Sequence, residues 1–190
     1  MIDAGIDTKK RILDTAEGIL LDRGYNGFSY KDIAVALNIK NASIHYHFPK
    51  KTDLGVAIIR RAGDRFQKWS SHTDSKDLPY SQKLDEFCRI FKKFVELKQV
   101  CLGGALETDF KTLPPEMQEE TRLFISKTLQ WLETFLAAGR NKGEFNFPGS
   151  AKDQALLTVA GLQGAIQIVR ATTPASFDAT VKQIKRYVCA

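Results

Sequence analysis

The sequence predicts an all-α protein of about nine helices, and three observations carry that prediction. Apolar residues recur at three- and four-residue spacing through most of the chain, as in Ile12, Ala16, Ile19 and Leu20 or Phe87, Phe91, Phe94 and Val95. Capping and breaking signals punctuate these stretches: Ser29 with Asp32, Leu113-Pro114-Pro115, and Ser150 with Asp153. From Ala155 to Val169 the only polar residues are Thr158, Gln163 and Gln167, which reads as a helix buried on more than one side.

Taken in order, Met1 to Asp7 reads as a frayed start. Thr8 is positioned to cap a first helix that ends at Gly24. Its first turn would carry Lys9, Lys10 and Arg11, a charge arrangement that opposes the helix dipole unless an anion such as a phosphate lies nearby. The plain alternative is a solvated charge run. Tyr25-Asn26-Gly27-Phe28 forms a loop, with Phe28 plugging a small core.

Ser29 and Asp32 are spaced to satisfy each other's free amides at the start of a second helix, whose Ile33, Ala34 and Leu37 face inward. Asn38 follows the last apolar residue and adopts the left-handed conformation cheaply, so it ends the helix and turns the chain. A third helix from about Asn41 to His47 carries Ile44 and Phe48 inward. Small Ala34, turning Asn38 and anchoring Ile44 together have the spacing of a helix-turn-helix, whose second helix lies in the DNA major groove. An ordinary pair of short core helices is the competing reading.

Pro49 stops the third helix, and a long one begins near Lys51 with Leu54, Ile58, Ala62, Phe66 and Trp69 on one face. The polar Asp74 to Pro79 segment breaks it. Further helices are expected from Tyr80 to Lys98, from Cys101 to Lys111, from Pro115 to Asn141, from Ser150 to Thr172, and from Thr173-Pro174 to the end. The two last helices read as a dimer interface, through Leu157, Gly161, Gly164 and Ile168 with Val181 and Ile184. The glycines would let another helix approach closely. The competing reading buries both helices in one subunit's core.

At 190 residues and 43% hydrophobic, the chain is long enough to bury a core. The formal charge of +6 suits a polyanion partner. It is unevenly placed: Lys40, Lys50, Lys51, Arg60, Arg61, Arg65 and Lys68 face only Asp53 and Asp64 within the same stretch. No apolar run has the length of a membrane span and no signal peptide precedes Thr8, so a cytoplasmic protein with no membrane partner is expected. Three scattered cysteines, Cys88, Cys101 and Cys189, fit a reducing compartment. No phosphate loop, nucleophile triad or paired carboxylates point to an enzyme, and no cofactor is implied. His45 and His47 lie two apart on a helix and point in different directions, which excludes them as a metal pair.

Ser29 to Leu54, and above all Ile44-His45-Tyr46-His47-Phe48-Pro49-Lys50-Lys51, resembles the DNA-binding segment of TetR-family (tetracycline-repressor-like) transcriptional regulators. The resemblance covers roughly Thr8 to Asp64. The remainder matches in length and helical character. Asn38 stands where the family usually has Gly, Lys40 where it has Ser or Thr, and His45 at a position often Tyr. The resemblance implies an N-terminal three-helix helix-turn-helix DNA-binding domain, residues 1–50, and a C-terminal helical ligand-binding and dimerisation domain, residues 51–190. It implies a homodimeric repressor that leaves a near-palindromic double-stranded DNA operator when a small, largely apolar effector binds.

On the third helix, Asn41, Ala42, Ser43 and His45 lie early, where helix-turn-helix proteins touch base edges. Tyr30 and Lys31 open the preceding helix, within reach of a groove edge or phosphate. By resemblance, Tyr46, His47 and Lys51 contact or position phosphates. Phe66, Trp69, Phe87, Phe91, Phe94, Phe110, Phe124, Trp131 and Phe135 are effector-pocket candidates, again on the resemblance; taken singly, each reads as core. Cys101, at a helix start after Lys98, is a candidate thiol sensor of electrophiles or oxidants, against the plainer role of a small buried hydrophobe. A thiol-based regulator and a helical small-molecule binder without DNA binding are therefore the alternative functions.

Overall fold

The computed structural model describes residues 4–189, and side chains from Asp7 onward. Met1 to Asp3, part of the expected frayed start, lie outside the described residues. Among those described there are nine α-helices and no strand: α1 (Ala4–Arg23), α2 (Tyr30–Leu37), α3 (Asn41–His47), α4 (Lys51–Ser75), α5 (Tyr80–Glu96), α6 (Leu102–Thr108), α7 (Pro115–Asn141), α8 (Ala151–Val169) and α9 (Ala175–Val188). A single 3-10 turn, Phe110–Thr112, precedes α7. The first helix thus begins at Ala4, ahead of the expected cap at Thr8. Asp7 then occupies its first turn, where a carboxylate suits the dipole, and the basic triplet Lys9, Lys10 and Arg11 falls one turn later.

The chain groups into two compact units, Met1–Arg65 with Leu102–Phe124, and Phe66–Cys101 with Ile125–Ala190. Helices α4 and α7 contribute residues to both. In the first unit, Ile12, Ala16, Leu20, Ile33, Ile44, Leu54 and Ile58 are fully buried. The expected turn is present: Asn38 is left-handed at φ 52° and ψ 49°, its amide donates to the Val35 carbonyl (3.2 Å), and the Ile39 amide donates to that of Ala34 (3.0 Å). At the other end of α2, the Asp32 carboxylate accepts from both the Ser29 amide and the Ser29 hydroxyl, each at 2.7 Å. These bonds hold the Asp32 carboxyl below its usual range.

The loop between α1 and α2 is bound by a residue far along the chain. Asp109 Oδ2 accepts from the amides of Tyr25 (2.8 Å) and Asn26 (3.3 Å), and the Asn26 side chain donates to Thr112 Oγ1 (2.6 Å). Gly24, at φ +75°, makes this approach feasible, since a Cβ there would lie 2.7 Å from the same carboxylate oxygen.

In the second unit, α8 starts where Ser150 Oγ accepts from the Asp153 amide (3.0 Å), as the cap signal implies. Its inner face buries Ala155, Val159, Leu162 and Ile166, together with Gln154 and Thr158, which bond to each other at 3.2 Å. Helices α5 and α9 are joined by Lys185 to Asp85 (2.6 Å) and Lys92 to Asp178 (3.0 Å). Gly139 on α7 lies directly against the Phe145 ring, in space a Cβ would occupy. Gly139→Ala is therefore expected to force buried Phe145 aside and cost roughly 1–3 kcal/mol, read as a lower midpoint in urea unfolding; an unchanged midpoint would mean that Phe145 relaxes freely.

Candidate nucleic-acid interface

Helix α3 has seven residues, too few to hold together alone in water. It is secured from beneath. Ile44 is fully buried, Phe48 nearly so, and the Tyr30 hydroxyl donates to the Phe48 carbonyl at 2.7 Å. The opposite side faces outward: Asn41, Ala42, His45 and Tyr46 are exposed, Ser43 and His47 half-buried, with Tyr46 reaching 84% exposure. Its ring meets that of His47 edge-on at 5.1 Å. His45 Nδ1 lies 3.2 Å from the Pro49 carbonyl and its ring packs edge-on against Tyr30 at 4.8 Å, which orients the imidazole at the surface. Lys31 is exposed on α2.

Two expected surface contacts instead point inward. Tyr30 is buried and spends its hydroxyl on Phe48, so it supports α3 and does not reach a groove. Lys51 Nζ donates to the carbonyls of Tyr25 (2.6 Å) and Phe28 (2.5 Å) and sits over both rings at 4.3 and 4.4 Å. Desolvation pushes the Lys51 ammonium below its ordinary pKa, opposed by the carboxylates of Asp109 and Asp32. With two of its three donors committed to this loop, Lys51 fastens the α1–α2 connection, a structural role beside the phosphate contact implied by resemblance.

The basic excess is also distributed differently from its appearance in the sequence. Arg61 pairs with Asp14 (2.6 Å) and Glu17, Arg65 pairs with Glu17, and Arg60 pairs with Glu120 (2.5 Å). These α4 arginines are neutralised by acids of α1 and α7. The exposed cations of this unit near α3 are instead Lys31, Lys40 and Lys50, with Lys9, whose ammonium lies 5.6 Å from the centre of the Phe48 ring.

Of the pocket candidates, Phe66, Trp69, Phe87, Phe91, Trp131 and Phe135 form one cluster in the second unit. Trp131 lies at its centre, 5.1 Å from Trp69, 5.5 Å from Phe66 and from Phe87, and stacked on Phe135 at 5.2 Å. Its indole N–H donates to Asp74 (3.0 Å). Phe87 continues the cluster to Phe91 at 5.3 Å. Tyr80 and Phe145, which the periodicity did not single out, complete it against Phe135. Phe94 is half-buried on α5. Phe110 and Phe124 belong to the other unit, where the Arg122 guanidinium covers Phe110.

The expected dimer face divides in two. Gly161 is covered within the subunit by Ile184 Cδ1 at 3.5 Å, so this pair packs α8 on α9, and Val181 and Ile184 are half-buried. Leu157 and Ile168 remain 57% and 55% exposed, Gly164 has nothing within 4 Å of a Cβ position, and Leu156 and Tyr187 are exposed as well. Cys101 is 7% exposed, short of the solvent access a thiol sensor requires. Burial also pushes the Cys88 thiol up to about 12. Among the described residues no group of three or more His, Cys, Asp or Glu is placed to hold a metal ion, and no helix is long and apolar enough to cross a membrane.

The sequence profile described as bacterial regulatory proteins, tetR family, matches residues 12–58, which span α1 to the first part of α4. A TetR transcriptional regulator from Legionella pneumophila is 30% identical over 95% of this chain and 96% of its own, with a TM-score of 0.85. The chain belongs to the TetR family. A TetR-family regulator from Agrobacterium tumefaciens has a TM-score of 0.92 at 25% identity, covering 98% of this chain and all of its own. The biofilm operon negative regulator IcaR of Staphylococcus aureus is 41% identical over 46 residues, 24% of this chain and only a quarter (25%) of IcaR's length. As a TetR-family member the chain is a transcriptional regulator with a helix-turn-helix head, and its α2–α3 turn is that motif.

The Tyr30 hydroxyl generates a pH dependence. Burial, with Asp53 and Tyr25, raises its pKa above the ordinary 10.0. The folded state therefore keeps a proton that the unfolded chain loses, so this stabilisation is complete below about pH 10 and declines as pH rises further. Tyr30→Phe is expected to cost about 1–3 kcal/mol at neutral pH, by leaving the Phe48 carbonyl unpaired, and to flatten the alkaline loss of stability. Parallel pH–stability curves for the two proteins would contradict this.

Proposed function

We propose that the protein is a homodimeric repressor that holds one α3 in each half of a near-palindromic operator and releases DNA when a small apolar effector binds. In this reading residues 1–50 are the DNA-reading domain and residues 51–190 the effector-binding and dimerisation domain. One observation carries it: α3 is pinned on its inner side while Asn41, Ala42, His45 and Tyr46 stand exposed on the other. Asn41 has the donor and acceptor that adenine presents for bidentate pairing, Ser43 can donate or accept, and the Ala42 methyl suits a thymine methyl. Tyr46, His47 and Lys31 take the phosphate-positioning role, which sets register without reading sequence. The repressor sign follows IcaR, named a negative regulator. The aromatic cluster around Trp131 supports an effector of apolar or aromatic character, acting through unequal affinity for two conformations.

Sequencing of DNA fragments retained by the purified protein tests the reading, and should return one site with two related halves about 34 Å apart. Asn41→Ala should relax preference at one base pair per half-site, with a loss of roughly 1–3 kcal/mol. Lys31→Ala should weaken binding to all sequences alike and reduce the salt slope by about one. Equal, sequence-independent losses from both would count against the assignment.

For the dimer, the exposed Leu157 and Ile168 on α8 are the supporting feature. Leu157→Asp combined with Ile168→Asp should convert a dimer to a monomer in light scattering at micromolar concentration, with helix content retained. A dimer surviving both changes, or a monomeric parent protein, would remove α8 from the interface.

A further inference from the structure

We propose that a cavity between the C-terminal ends of α5 and α8 and the start of α9 is a separate small-molecule site for a single-chain amphiphile with an anionic head group. The cavity lies wholly in the second unit and measures about 520 Å³, within the range of roughly 300–1,000 Å³ usual for such sites. None of the nine aromatic candidates lines it.

Its walls differ in chemistry. Val95, Ile166, Val169 and Phe177 supply an apolar interior, and Lys92, Glu96, Lys98, Arg170 and Asp178 the charged groups. Lys92 and Asp178 pair with each other at 3.0 Å and largely cancel. Lys98 and Arg170 have no carboxylate within ion-pair distance among the described residues, and Glu96 has no cation. Two unmatched cations therefore stand against one unmatched acid, beside the apolar side chains of Val95, Ile166, Val169 and Phe177.

The backbone sets where one of those cations leaves the chain, just past the end of α5. Lys98 ends α5 in the left-handed region, at φ 56°, with its amide on the Val95 carbonyl (3.1 Å) and the Gln99 amide on that of Phe94 (2.9 Å). Glycine is the usual residue in that conformation. Here a lysine occupies it, and Lys98 lines the cavity together with Val169 and Arg170 at the end of α8. An anionic head between Lys98 and Arg170, with its tail along Val169, Ile166 and Phe177, matches both parts of the lining. A cationic head would meet the unmatched charges with the wrong sign, and an uncharged alcohol would leave them unused.

Isothermal titration calorimetry of the full chain with decanoate and decyltrimethylammonium below their micelle concentrations, and with decanol below its solubility limit, tests the site without reference to DNA. Decanoate should bind saturably, one per subunit, and more tightly than the other two. Lys98→Gln with Arg170→Gln should weaken it by about tenfold or more, the scale of a lost charge-assisted hydrogen bond. Glu96→Gln should tighten it, and Val169→Trp, which fills the cavity, should abolish binding. Circular dichroism and thermal unfolding check that each variant is folded; should Val169→Trp unfold, the Lys98 and Arg170 changes, at exposed positions, decide alone. Absence of saturable binding, equal affinity for decanoate and decanol, or parent-like affinity in the double variant would each overturn the proposal.

Discussion

The outward presentation of α3 depends on a single left-handed residue. With Asn38 at φ 52°, the chain reverses within two residues, and the freed amides of Asn38 and Ile39 return to the last turn of α2. A residue confined to negative φ would carry the chain onward and separate Ile44 from the core formed by Ile12, Ala16, Leu20 and Ile33. Because α3 is only seven residues long, its existence as a helix follows from that docking more than from propensity. The Tyr30 hydroxyl closes the same arrangement at the far end of α3 through the Phe48 carbonyl. The exposed row Asn41, Ala42, His45 and Tyr46 is the complement of this buried one: a short helix with one side pinned has its other side in a determined place.

Charge in the same unit divides between structure and surface. Lysine and arginine counts alone place the basic excess along α3 and α4. Most of the α4 share is consumed internally, by Asp14 and Glu17 on α1 and Glu120 on α7. Such pairs on partly exposed side chains contribute modestly to stability, yet they remove three arginines from the positive potential available to a polyanion. Lys51 is a stronger instance, since its ammonium is held by two carbonyls and two aromatic faces. Together with the Asp109 carboxylate on the amides of Tyr25 and Asn26, it ties the α1–α2 loop to residues remote in sequence. The cations left outside are those of α2, the two ends of α3 and the second turn of α1.

The second unit separates two apolar environments that composition alone does not distinguish. Around Trp131, aromatic rings fill one another's space and the Trp131 indole N–H is satisfied by Asp74. At the end of α8, apolar side chains border open volume with charged groups at its margin. The apolar character of α8 is accordingly spent in three ways: an inner face in the core, Gly161 against Ile184 on α9, and Leu157 and Ile168 left exposed.

Local chemistry was sufficient to read the helices, their caps and the turn. Asn38, Ser29 with Asp32, Ser150 with Asp153, and Pro115 act through bonds spanning five residues or fewer, so their consequences are visible in the order of residues. The outward side of α3 was legible too, because Ile44 and Phe48 mark its inner side and spacing does the rest. Five features were not: the start of α1 at Ala4, the inward Tyr30, the inward Lys51, the α4 arginines paired across the unit, and the division of aromatic residues between two units. The inward Tyr30, the inward Lys51 and the paired arginines depend on partners 18 or more residues away. A lysine reads the same in a sequence whether it meets solvent or the carbonyls of Tyr25 and Phe28; only the tertiary arrangement chooses, because desolvation and long-range pairing have no local signature.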